Sequence, residues 1–227
     1  NYGLIGSNGR IIITTRESSP GLTNNVLGGW AVVGGTDFLS YVPTLGLGGL
    51  NQTGFAGYES TTLPATTQPA WNVKLAAAAT VPAGGLGLNT LITSGNVAFT
   101  NATDTLNLTS GGILKSNAVA NTFGASPNSG VVTAGGVGAT GTQGLYIHIN
   151  TAAANTLTMN SQIVDNGSAP VRLVFTGYNG GTLILAGSNS YTGGTVVNAW
   201  LTNGNTLTVG ATGRLPAGGL TVDNATF

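Results

Sequence analysis

The stretch "GSNSYTGGTVVNAWLTNGNTLTVG", residues 187–210, places a Ser-Tyr-Thr-Gly-Gly turn before an apolar run. An Asn-Gly-Asn break and the alternating segment Thr206 to Val209 follow. Alternation of apolar and polar side chains is the period of a half-buried strand. Glycine and asparagine supply the positive φ that a sharp corner needs. The unit therefore reads as strand, corner, strand, and its neighbours decide whether it stands alone.

It recurs. A Thr-Leu-x-apolar tetrad appears as "TLNL" (105–108), "TLTM" (156–159), "TLIL" (182–185) and "TLTV" (206–209), with the variant "GLTV" at 219–222. Leu157 lies 26 residues before Leu183, and Leu183 lies 24 before Leu207. The 51 residues from Leu106 to Leu157 are close to two such periods. A period in this range is the signature of a solenoid. Each turn of the chain would give two or three short strands that pair with those above and below, about 4.8 Å apart. Leu and Val would stack inward and Thr, Asn and Ser outward, in about nine coils of roughly 24 residues.

Composition agrees. Only 5% of the 227 residues are charged and the net charge is zero, so the basic footprint of a nucleic-acid binder is absent. The stretch Leu75 to Val81, apolar but for Thr80, is far short of the roughly 18 residues of a membrane-spanning helix. With 41% hydrophobic residues the chain can bury a core, and its 38 glycines suit a fold of many corners. It has no cysteine, hence no disulfide frame and no thiolate metal site. Helix signals are nearly missing: even "NVKLAAAATV" (72–81) alternates and stops at Pro82, which predicts one strand. Other predicted strands are 10–15, 96–101, 145–150, 171–177 and 194–199. The start, Asn1-Tyr2-Gly3, is no initiator sequence and "TVDNATF" stops in mid-pattern, so the chain reads as a piece of a longer one. Two parts are expected: residues 1–90, a β-rich start with a weak repeat, and 91–227, regular coils including the repeat at 182–210.

The segment "TLILAGSNSYTGGTVVNAWLTNGNTLTVG" (182–210) resembles the autotransporter-associated β-strand repeat, the passenger-associated transport repeat family. Agreement runs from Thr182 to Ala199 and breaks at Trp200, where the family places Gly-Thr. Segments 25–41, 105–116 and 144–185 are similar to regions that accompany such repeats in large bacterial surface proteins. The resemblance implies a right-handed parallel β-helix exported to the cell surface, usually ahead of a membrane-embedded barrel. Regular coils with a neutral Thr/Asn surface and no polar capping helix visible at either end are read as a structural stalk, coat or fibre that stacks on copies of itself or on adjoining coils. An adhesin or a carbohydrate-binding passenger that meets surface glycans is the alternative, and a β-helix glycan-active enzyme a third reading.

Candidate chemistry is sparse. His148, the single histidine, alternates with Leu145, Ile147 and Ile149 and is expected on the solvent face beside Tyr146 and Asn150. The acids Glu17, Asp37, Glu59, Asp104, Asp165 and Asp223 are isolated in sequence. A glycan-active site would need several of them to converge with Arg172 or Lys115. Asp37 and Asp165 read as turn residues. "GGVGATGTQG" (135–144) lacks the Lys-Ser/Thr of a phosphate loop. No catalytic residue, cofactor or metal ligand is assigned. Trp30 and Trp71 read as core or end-capping residues. Trp200, where the repeat breaks, and Tyr191, at the corner, are the candidate surface contacts.

Overall fold

The computed structural model describes residues 11–12, 22–150, 155–178, 180–199, 205–216 and 218–223. Among them every regular element is a strand and none is a helix. No helix is long and apolar enough to cross a membrane. The first three strands, β1 (Val32–Val33), β2 (Asp37–Val42) and β3 (Gly46–Gly49), form a small antiparallel sheet. Its first turn carries Gly34 and Gly35, both at positive φ, 57° and 63°, and together with Thr36 they make a three-residue connection between the paired Val33 and Asp37.

Parallel stacking begins at Asn72. The long ladder runs through β4 (Asn72–Lys74), β6 (Leu86–Thr93), β8 (Thr105–Lys115), β11 (Gln143–Asn150), β14 (Val171–Tyr178), β16 (Thr195–Ala199) and β18 (Leu220–Asp223). Its inward row is Val73, Leu91, Ile113, Ile147, Phe175, Val197 and Val222, each the register partner of the next. The wall bends at β8. Residues Thr105–Leu108 pair instead with β10 (Val131–Ala134), which carries β13 (Gln162–Ile163). A separate six-stranded sheet holds β5 (Ala79–Val81), β7 (Val97–Phe99), β9 (Asn121–Phe123), β12 (Thr156–Met159), β15 (Thr182–Leu185) and β17 (Thr206–Val209). The inward residues of these ladders form one continuous apolar core. This is an open parallel β-solenoid.

Several expectations change. Leu157, Leu183 and Leu207 do stack as direct partners. "TLNL", however, lies in the long wall, with Leu106 beside Leu86 and Val132, and "GLTV" pairs with β16 in that wall too. The tetrad thus serves two walls, because alternation meets the needs of either. The run 72–81 is two strands, β4 and β5, with a corner between them. Seven rungs, not nine, make the long wall among the described residues, about 29 Å of rise. The spacing between inward partners runs from 18 residues (Val73 to Leu91) to 34 (Ile113 to Ile147), a wider spread than coils of roughly 24 residues imply. Residues 10 and 13–15 of the predicted strand 10–15 lie outside the described residues, and 11–12 are not strand.

The antiparallel unit packs on the outer face of the long wall. Val26, Phe38 and Leu50 form a second core with Ile92 and Leu114, which point outward from that wall. Beside it, Asn72 donates to the Asn24 carbonyl (2.7 Å) and Asn89 to that of Thr23 (3.1 Å). Asn89 and Thr90 each donate to Asn72 Oδ1 at 2.8 Å, so these buried side chains are joined in one network.

Candidate functional site: the repeat corner

The corner between β15 and β16 assigns a bonding partner to nearly every residue of Ser188–Thr195. Asn189 is fully buried. Its Oδ1 accepts from the Ile163 amide at 2.9 Å, one coil back, and its Nδ2 donates to the Arg214 carbonyl at 2.9 Å, one coil forward. Arg214 Nε donates in return to the Asn189 carbonyl at 2.9 Å. One asparagine therefore ties three successive coils. Ser188 accepts at its carbonyl from Gln162 Nε2 (3.3 Å), and its amide donates to Asn128 Oδ1 (2.7 Å).

Tyr191 points inward, not outward. It is fully buried in the apolar core, and its hydroxyl lies 2.7 Å from Thr195 Oγ1. Burial pushes the phenol up to about 12, against a smaller opposing effect of the Thr195 bond. The expected surface contact at Tyr191 is thereby corrected: an aromatic at this corner fills the space between walls. Trp200 lies outside the described residues.

Thr192 sits over Asp165 of the preceding coil. The carboxylate accepts the Thr192 amide (2.8 Å), the Thr192 hydroxyl (2.7 Å) and the Val171 amide (2.7 Å). Burial works to raise the Asp165 pKa, but these three donors together hold it below the usual carboxylate value. Gly193 is obligatory for space, since a Cβ there would come within 2.5 Å of the Val171 carbonyl. Its amide donates to that carbonyl at 2.8 Å. Gly194, at φ 87°, turns the chain into β16.

With this geometry in view the comparison is direct. Residues 178–199 match the family model described as Passenger-associated-transport-repeat. This corner lies within the stretch that is similar to the passenger-associated transport repeat. The match stops at Ala199, immediately before Trp200, where the sequence leaves the repeat pattern. Neither the curated proteins nor the solved structures give a match. The passenger-associated transport repeat is a structural unit, and within the matched stretch Asn189 and Thr192 bond neighbouring coils while Tyr191 fills the core.

The other candidate residues are dispersed. His148 is buried, not solvent-facing: its Nε2 lies 2.9 Å from the Gly29 carbonyl of the antiparallel unit, and its Nδ1 has no hydrogen-bond partner. Because a carbonyl only accepts, Nε2 carries the proton. Burial lowers its pKa to about 4, with the Gly29 bond opposing. The outward direction was correct, but a segment 119 residues away covers it. Lys115 is enclosed inside the solenoid, donating to the Asn117 carbonyl at 2.7 Å, and burial lowers it to about 8.

Arg172 Nε donates to the Gly193 carbonyl at 3.1 Å. Asp104 accepts the Asn101 amide (2.6 Å) and the Gly84 amide (2.9 Å), and Glu59 accepts the Asn72 amide (2.6 Å). Asp37 accepts from Tyr58 Oη (2.9 Å) and from Lys74 Nζ (3.3 Å), the one ion pair among the described residues. Neither Lys115, enclosed in the core, nor Arg172, at a corner carbonyl, meets these acids. Among the described residues no group of three or more His, Asp or Glu side chains could hold a metal ion. Trp71 packs against the core end as expected, whereas Trp30 is 57% exposed and fills no core.

Proposed function

We propose that this chain is a structural segment of an exported passenger, a β-solenoid rod that serves as a stalk or coat at the bacterial cell surface and performs no catalysis. The observation that carries the reading is the occupancy of the repeat corner. Asn189 and Thr192 bond neighbouring coils, Tyr191 fills the core and Gly193 packs on the Val171 backbone, so the polar groups of the corner are used in holding the stack. The neutral Thr/Asn surface and the match to a passenger-associated repeat support the same reading. Antibodies raised against this segment should label intact cells that express the full-length protein. Labelling only after permeabilisation would overturn the surface assignment.

A second reading, an adhesin passenger that meets neutral surface glycans, draws support from Trp30. Its indole is 57% exposed on the antiparallel unit, and an exposed ring can stack on a sugar face. A glycan array with the native chain and Trp30→Ala tests it. Hits that Trp30→Ala abolishes would favour the adhesin, and an array without hits would remove it. The partners proposed for the rod itself are adjoining coils.

A further inference from the structure

The two ends of the solenoid differ. In the first coil the inward residues Val73, Leu75 and Val81 are 0%, 3% and 0% exposed, as in the middle of the stack. In the last described strand, Leu220 and Val222 are 44% and 40% exposed, although Val222 belongs to the same inward row as Val197. A terminal coil has no neighbour on one side, so the first coil must be covered by something other than a coil.

The cover is the segment Glu59–Trp71. Ser60 forms a parallel bridge with Val73 on the outer edge of β4. Glu59 N donates to the Asn72 carbonyl (3.1 Å), Lys74 N to the Ser60 carbonyl (3.0 Å) and Ala76 N to the Thr61 carbonyl (3.1 Å). The Glu59 carboxylate takes the Asn72 amide as well. Along β4 the Asn72 amide, the Asn72 carbonyl and the Lys74 amide, groups through which an edge strand recruits another chain, are therefore engaged. The strap does not itself continue as a strand. Ser60 Oγ accepts the Thr62 amide (3.0 Å) and donates to the Thr62 carbonyl (2.7 Å), which turns the chain across the end of the core. Leu63 and Trp71, both half-buried, then pack against the apolar interior.

We infer that residues 59–71 are an end cap that closes the solenoid to docking at β4, so that further coils join only at the face carrying β17 and β18. Copies of this chain each bring the same cap, and a second copy therefore cannot add head to tail. This rests on the structural reading above and argues against the stacking on copies of the chain that the sequence suggests. A result on surface labelling leaves it untouched, because it concerns association of the purified chain alone.

Sedimentation velocity on the native chain and on the double variant Glu59→Pro/Trp71→Ala tests it. Proline removes the Glu59 amide and carboxylate together, and alanine removes the plug. The native chain is expected to show no growth with concentration. The variant, with native-like circular dichroism, should rise severalfold in weight-average mass as open-ended chains form. End-to-end filaments of the native chain by electron microscopy would overturn the inference, as would a folded variant of unchanged mass. Should the variant fail to fold, hydrogen exchange of the native chain decides. Lys74 and Ala76 amides protected like that of Ile147 support the cap, and exchange at loop rates overturns it.

Discussion

Asp165 receives both the amide and the hydroxyl of Thr192 from the coil above, at 2.8 and 2.7 Å, while holding the Val171 amide at 2.7 Å. One carboxylate thus fixes the height of one coil over the next at the repeat corner. Asp165→Ala leaves those donors to water and should cost about 2 kcal/mol, read as a lowered urea midpoint with unchanged m. Because the carboxyl is depressed in the folded chain, its contribution is present above the ordinary carboxylate pKa. It fades as pH falls through the folded value, and the difference between native and variant midpoints should shrink over that window.

Tyr191 separates packing from bonding. Tyr191→Phe keeps the ring and leaves Thr195 Oγ1 without its partner, for a loss of about 1 kcal/mol. Tyr191→Ala empties a fully buried aromatic site, with a loss of about 3–5 kcal/mol. Thermal unfolding of both variants checks the ratio. Equal losses would show that the hydroxyl, not the ring, holds the corner.

His148 gives the fold an acid weakness. The folded pKa of about 4 lies below the ordinary value of 6.5, so below pH 6.5 the unfolded chain binds a proton that the folded chain refuses. Stability should hold above pH 6.5 and decline as pH falls toward 4, by up to about 3 kcal/mol. Protonation would force a second N–H onto Nδ1, which has no acceptor. The decline should begin where Gly29 rests on the wall, seen as faster exchange of amides in 22–50, and should be absent in His148→Gln. A pH-independent midpoint between 7 and 4.5 would contradict this.

Gly177 shares its space with Asn205. A Cβ on Gly177 would fall within the contact radius of the Asn205 carboxamide, whose Nδ2 donates to the Gly177 carbonyl (2.9 Å) and the Asn198 carbonyl (2.7 Å). Gly177→Ala should cost about 1–3 kcal/mol by overpacking. Asn205→Ala in the same chain should recover part of that loss, and strict additivity of the two losses would rule out the steric account.

What the sequence disclosed follows from which forces act locally. The stack of Leu157, Leu183 and Leu207 was legible because alternation and period both survive in those tetrads. Leu106 misled for the same reason: Thr-Leu-x-Leu satisfies any wall, and nothing in it says which. The face of His148 could be read from period 2, but its cover could not, since Gly29 lies far away in sequence. Tyr191 was placed at the corner correctly and in the wrong direction, because turn chemistry fixes a backbone and not the space behind it. The antiparallel unit has a sequence signal in Gly34-Gly35, the positive-φ pair that opens the three-residue connection from Val33 to Asp37. Asn189, the residue that ties three coils, carried no signal beyond being an asparagine at a corner.

The unequal coils have one more consequence. Between Ile113 and Ile147 the chain spends 34 residues to climb the same single strand spacing that Val73 to Leu91 climbs in 18. The surplus leaves the wall at the 135–142 excursion, where Val137 is 97% exposed. Length and decoration are thus set independently: the number of rungs fixes how long the stack is, and the corners fix what it displays along the way. Sequence inserted at such a corner changes what the surface offers to its surroundings without moving the tip.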